Sequence, residues 1–136
     1  MTQQPDTPET DQMAMDLAFD VLARRCPSRP TLEHITGRWG TLVLLGLYDG
    51  PTRFNELRRR VDGVSEKMLS QTLHALERDG FVDRTVHTAI PPRVEYSLTP
   101  LGGQTTKLLV ELVNHLESRM PEVLAARDVY DAAEGR

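Results

Sequence analysis

The sequence predicts a mainly α chain with a minor β component, an α+β fold, and three observations carry that expectation. Leu, Val, Ile and Met recur at helical spacings along most of the chain. Two short runs read as strands instead, the second alternating apolar and polar residues. Aromatic residues make up 5% of a composition that is 39% hydrophobic, so the core has to be aliphatic. A length of 136 residues suits one domain with arms.

Taken in order, residues 1–10 are rich in Gln, Thr, Pro and Asp and are expected to form a disordered arm. Residues 11–25 follow as a short amphipathic helix carrying Met15, Leu17, Ala18, Val21 and Leu22. Cys26-Pro27 and Arg29-Pro30 punctuate the chain, because proline disfavours helix in the residue before it. Residues 31–35 read as a helical turn or short helix, broken by Gly37. Residues 39–48 form a buried helix stopped by Asp49-Gly50-Pro51. Residues 53–61 place Phe54, Leu57 and Val61 on one helical face, and Asp62-Gly63-Val64 turns the chain. Ser65 is an N-cap for a helix that runs to about Asp79 and stops at Gly80. Residues 81–87 and 93–98 are strands, the second alternating Val94, Tyr96 and Leu98 with Glu95 and Ser97. Thr99-Pro100 opens a long helix to about Met120; Pro121 ends it or starts another, and residues 122–130 are helical again.

Helix, turn, helix, strand, connection, strand, long helix is the order of a winged helix-turn-helix, assigned to residues 26–99. The helix over 11–25 and the C-terminal helices over 100–136 flank it. Both are expected to serve dimerisation, because Leu101, Leu108, Leu112, Val113 and Leu116 form an apolar stripe, widened by Leu109, Val110 and Met120, larger than a small domain needs. An intramolecular helix pair is the alternative use of that stripe.

The formal net charge of −4 argues against nucleic acid, but its distribution does not. Between Arg53 and Arg93 there are eight basic residues against six acids, a local excess of +2 within a chain whose remainder is −6. Binding to DNA depends on the local patch. In the helix after Ser65, the spacing turns Leu69, Leu73 and Leu76 to one side and Lys67, Gln71, His74 and Arg78 to the other. Lys suits guanine or phosphate, Gln suits adenine, Met68 suits a thymine methyl, and Ser65 with the first-turn N–H groups suits a phosphate. The same pattern also describes the solvated face of an ordinary surface helix. Pro91 and Pro92 stiffen the strand connection, with Arg93 expected at its tip, where a guanidinium suits a phosphate or the minor groove. Arg58, Arg59 and Arg60 add charge on the preceding helix.

The stretch from Cys26 to Gly102 resembles the HxlR family of winged-helix regulators. The resemblance is carried by Cys26-Pro27, Gly37-Arg38-Trp39, residues 45–50, Arg53-Phe54-Asn55-Glu56-Leu57-Arg58, Ser65-Glu66-Lys67-Met68-Leu69, Leu76-Glu77-Arg78-Asp79-Gly80, residues 91–99 and Leu101-Gly102. It implies a homodimeric transcription factor, often a repressor, on a roughly palindromic operator of double-stranded DNA. With the readings above it gives Arg38, Arg53, Arg58, Ser65, Lys67, Met68, Gln71, His74 and Arg93 as the expected DNA-binding residues. Several such regulators sense oxidants, quinones or aldehydes through a cysteine at the Cys-Pro position, which makes Cys26 the candidate redox sensor. Arg24 and Arg25 precede it, and nearby positive charge favours the thiolate. With no second cysteine in the chain, oxidation would need the partner's Cys26 or a small thiol, whereas an electrophile needs neither. A buried inert cysteine is the bland alternative, and control by a non-covalent ligand is a rival.

Other function classes fit less well. His34, His74, His87 and His115 are scattered without ligand spacing, no phosphate-cradling glycine loop and no Gly-x-Ser-x-Gly elbow occur, and one cysteine makes no zinc site. An enzyme is not expected, and neither a metal nor another cofactor is called for. The short apolar run Leu42 to Leu47 is interrupted by Gly46, and residues 1–11 lack a signal pattern, so the expectation is a soluble cytoplasmic protein with no membrane partner. A winged-helix module that binds protein remains the second rival; it would not need Lys67, Gln71 and Arg93 together.

Overall fold

The computed structural model describes residues 19–135. Its elements are α1 (Ser28–Thr36), α2 (Gly40–Gly46), β1 (Thr52–Arg53), α3 (Phe54–Arg60), α4 (Glu66–Arg78), β2 (Val82–His87), β3 (Arg93–Leu98) and α5 (Pro100–Glu134). The mainly helical winged helix-turn-helix expected from the sequence is what the chain adopts. The disordered arm and most of the N-terminal helix lie outside the described residues. The part of that helix that is described, residues 19–25, makes turns instead of ending a helix.

The core is aliphatic. Ile35, Val43, Leu44, Leu47, Leu57, Val61, Val64, Leu69, Leu73, Leu76, Phe81, Val82 and Leu109 form one cluster drawn from α1 to α5. Each fully buried Leu contributes about 1.5–3 kcal/mol by leaving water. Trp39, Phe54 and Tyr96 seal its edges, the last two with ring centroids 6.5 Å apart and tilted by 53°.

Local signals set the boundaries of α4. At its start the Ser65 hydroxyl accepts from the Met68 N–H at 3.1 Å. At its end Gly80 adopts a φ of +87°, and the N–H groups of Phe81 and Gly80 bond the carbonyls of Leu76 and Glu77. That left-handed turn is open to glycine without strain, and it feeds Phe81 back into the core. The other end of the hairpin is pinned by Thr99, whose hydroxyl donates to the Gly80 carbonyl at 2.6 Å and accepts from the Gly102 N–H at 2.9 Å. Pro100 occupies the first turn of α5, as expected from Thr99-Pro100.

The sheet has three strands, in the order β1-β3-β2, all antiparallel. Pairing in the hairpin runs from Val82↔Leu98 to His87↔Arg93. Arg93 is therefore the first residue of β3, and residues 88–92 make the tip; the arginine stands at the shoulder of the wing, not at its end. Strand β1 was not expected. It lays Arg53 opposite Glu95.

Helix α5 also differs from expectation. It runs unbroken through Pro121. A proline removes one helical hydrogen bond, but Glu117, whose carbonyl loses its partner there, is exposed and can be solvated. At about 1.5 Å per residue the helix is roughly 50 Å long. Within α5 only Gly102, Thr106 and Leu109, all near its start, are buried. Leu101, Leu108, Leu112 and Leu116 are exposed.

Candidate nucleic-acid interface

The core fixes which side of α4 faces out. Leu69, Leu73 and Leu76 are 0–1% exposed, whereas Ser65, Lys67, Met68, Gln71, His74 and Arg78 are all exposed. Helix α1 steadies its far end. The His34 imidazole (Nδ1) hydrogen-bonds the Asp79 carboxylate at 2.6 Å, joining the last turn of α1 to the C-cap of α4.

Two grooves flank this face. The first, of about 280 Å³, runs between the α1–α2 turn and α4; Arg38, Trp39, Met68 and Gln71 line it. The Arg38 guanidinium lies 4.9 Å from the centroid of the Trp39 ring, a cation–π contact that directs it beside Met68 and Gln71. The second groove, of about 730 Å³, lies between the start of α3 and the wing and is lined by Arg53, Phe54, Asn55, Glu56, Arg59, Pro92, Arg93 and Val94. Pairing of β1 with β3 is what brings Arg53 and Arg93 to one groove from positions far apart in sequence.

Hydrogen bonding decides which of these charges is available. The Glu95 carboxylate, which shares the sheet face of Arg53 and Arg93, is taken by the His87 Nε2 at 2.7 Å. Arg53, Arg59 and Arg93 make no ion pair among the described residues. Arg58 sits 3.7 Å from Glu66, and Arg60 bonds Asp49 at 3.1 Å. Of the arginine run, the sequence pointed to Arg58, but Arg59 is the member that joins the groove; three consecutive arginines carry no signal of which one turns inward. Ser65, Lys67 and His74 line neither groove and stand along the exposed face of α4.

Cys26 lies apart from this surface, in the turn that leads into α1. It is 6% exposed. Its sulfur receives the Asp20 N–H at 3.0 Å and lies 3.0 Å from the Ser28 hydroxyl. The Ser28 hydroxyl is the main reason that the thiol pKa is lowered from its ordinary 9.0, with the backbone N–H groups of Ser28 and Asp20 assisting; burial and the Asp20 charge oppose the shift. Hydrogen bonds, not Arg24 and Arg25, are the cause. Among the described residues no cluster of three or more His, Cys, Asp or Glu side chains could hold a metal, and no helix is long and apolar enough to cross a membrane.

A capped helix with an open polar face, set between two arginine-bearing grooves and followed by a β-hairpin, is the winged helix-turn-helix arrangement that DNA-binding transcriptional regulators use. Residues 34–123 match the model of the HxlR-like helix-turn-helix family, and the chain belongs to that family. It is 52% identical over 109 residues to the HTH-type transcriptional regulator YtfH of Escherichia coli, covering 80% of this chain and 86% of that one. The solved structure of the regulator ytfH from Salmonella typhimurium is similar, with a TM-score of 0.76 and 51% identity over 81% of this chain and 98% of that one. The redox regulator HypR in its oxidized form superposes with a TM-score of 0.63 and 39% identity over 68% of this chain and 96% of that one.

Proposed function

We propose that the chain is a homodimeric repressor that reads a roughly palindromic operator, with the N-terminal half of α4 in the major groove. The observation that carries this reading is the exposed stripe of Ser65, Lys67, Met68 and Gln71 on a helix whose opposite face is locked into the core. Lys67 and Gln71 would read base edges, Met68 a thymine methyl, and Ser65 a phosphate at the helix start. His74 stands nearer the groove's rim. Arg38 would meet the backbone from one side, and Arg53, Arg58 and Arg93 from the other.

The dimer is supported by α5. Most of its length packs on nothing within the described chain, and a two-fold partner would cover Leu108, Leu112 and Leu116. Two copies would set their α4 helices about 34–36 Å apart, one turn of DNA. Sedimentation as a monomer at micromolar concentration would overturn it.

We further propose that the repressor responds to oxidants or electrophiles through Cys26. A lowered thiol pKa and the likeness to HypR support this. Cys26 is buried, 6% exposed, so a reagent would reach its sulfur through local opening of the turn that holds it. The test of the whole reading is selection of bound duplexes from genomic DNA, followed by diamide or quinone treatment of wild type and Cys26→Ser. No enriched sequence refutes operator reading; equal release of DNA from both proteins removes Cys26 from the response.

A further inference from the structure

The wing carries a feature that groove contacts by arginine do not use. Hairpin pairing begins at Val82, which is 1% exposed in the core, and ends at His87↔Arg93. At about 3.3 Å per residue, that final pair stands roughly 17 Å from the core. Beyond it, residues 88–92 form the tip, and Ile90 at its centre is 98% exposed, more than any other large apolar side chain described.

An exposed isoleucine is ordinary in isolation, but the chemistry around this one is selective. Pro91 and Pro92 have no N–H, so the stretch that follows Ile90 offers no backbone donor to a phosphate. From Arg84 to Arg93 the hairpin bears two arginines and no carboxylate. The nearest acid on β3, Glu95, is held by His87. A stiff apolar point beside the Arg93 guanidinium at the hairpin end complements a surface that is negative outside and apolar within, which is the make-up of a base-pair stack behind its phosphates.

We infer that Ile90 is a wedge that enters the minor groove, opens a base step and bends the operator. This rests on the DNA-binding reading above. It assigns the wing a role in sensing DNA deformability, with pyrimidine–purine steps the favoured site because they unstack most easily.

The experiment uses the full chain and the duplex that wild type selects from a randomised pool, labelled at both ends for energy transfer and carrying 2-aminopurine at the step opposite each wing. Wild type should bend the duplex and raise the 2-aminopurine fluorescence. Ile90→Ala should abolish both and weaken binding roughly tenfold, with the salt dependence unchanged because no charge is lost. Ile90→Leu should restore bend and fluorescence. Ile90 lies outside the core, so an unchanged Tm accompanies each variant. The inference is overturned if Ile90→Ala bends and unstacks the duplex as wild type does, whether or not affinity falls. If wild type selects no duplex at all, the DNA-binding reading itself fails, which is a separate and distinguishable result.

Discussion

Ser65 caps α4, and the proposed interface gives it a second role that substitution can separate from the first. Its hydroxyl caps α4 by accepting from the Met68 N–H at 3.1 Å, and the same exposed group stands where a DNA phosphate would approach the helix start. Ser65→Ala removes the cap, costing about 1 kcal/mol, or roughly 3–5 °C in Tm for a chain of this size. Ser65→Asp keeps an acceptor and places a negative charge at the positive end of the helix dipole, so Tm should stay at or above the wild-type value. The same carboxylate would face a phosphate at roughly 5 Å, and repulsion between the two amounts to about 1–3 kcal/mol between the bulk-water and protein-surface limits of the dielectric. Binding should therefore weaken by roughly fivefold to a hundredfold, most strongly at low salt. Ser65→Asn keeps the cap without the charge and controls for shape. Fluorescence anisotropy on the selected duplex and thermal melts read both effects. If Ser65→Asp binds like wild type at low salt while retaining its Tm, the start of α4 does not face the DNA backbone.

Three further outcomes are expected. At Gly102 a Cβ would fall 1.9 Å from the Phe81 carbonyl oxygen and 2.9 Å from its carbon, so Gly102→Ala must push α5 off the hairpin; a loss of about 3 kcal/mol, roughly 10 °C in Tm, should follow, and a change within about 2 °C would contradict it. The Thr106 hydroxyl is fully buried without a hydrogen-bond partner among the described residues, so Thr106→Val should raise stability by about 1 kcal/mol, read by denaturant titration. For Cys26 the folded pKa lies below the unfolded 9.0, so the thiolate's added stability is present above 9.0 and is lost as pH falls through the folded value. Ser28→Ala removes the largest cause of that shift and should move the pH profile of iodoacetamide alkylation upward; an unmoved profile would show that the Ser28 hydroxyl does not set the thiol.

The elements easiest to read in the sequence are those with local causes. Helix α4 announced itself by a cap, a Leu69-Leu73-Leu76 stripe and a glycine stop, and each lies where expected. Strand β1 did not, because two residues carry no periodicity and Thr52-Arg53 is a strand only by pairing with Tyr96 and Glu95. Pro121 suggests a helix end or a new start for the opposite reason: its local cost is real, but α5 is solvated at that turn and bears it. Adjacency to Pro92 points Arg93 to the wing tip, but strand pairing already resumes at His87↔Arg93.

From the sequence alone follow the class of the fold, the order of its elements apart from β1, the family and the polar face of α4, since caps, turns and hydrophobic spacing act over a few residues. Only the tertiary structure decides which charges line the same groove. Arg53 and Arg93 line one groove because β1 joins β3, and Arg59 joins them from α3; Arg38, 4.9 Å from the Trp39 ring centroid, lines a second groove with Met68 and Gln71; and the Glu95 carboxylate is bonded by His87. The tertiary structure also sets the Cys26 sulfur 3.0 Å from the Ser28 hydroxyl, the main cause of its lowered pKa. Contacts of this kind close over long sequence separations, and the energy that selects them comes from packing the shared core, which no short window of sequence contains.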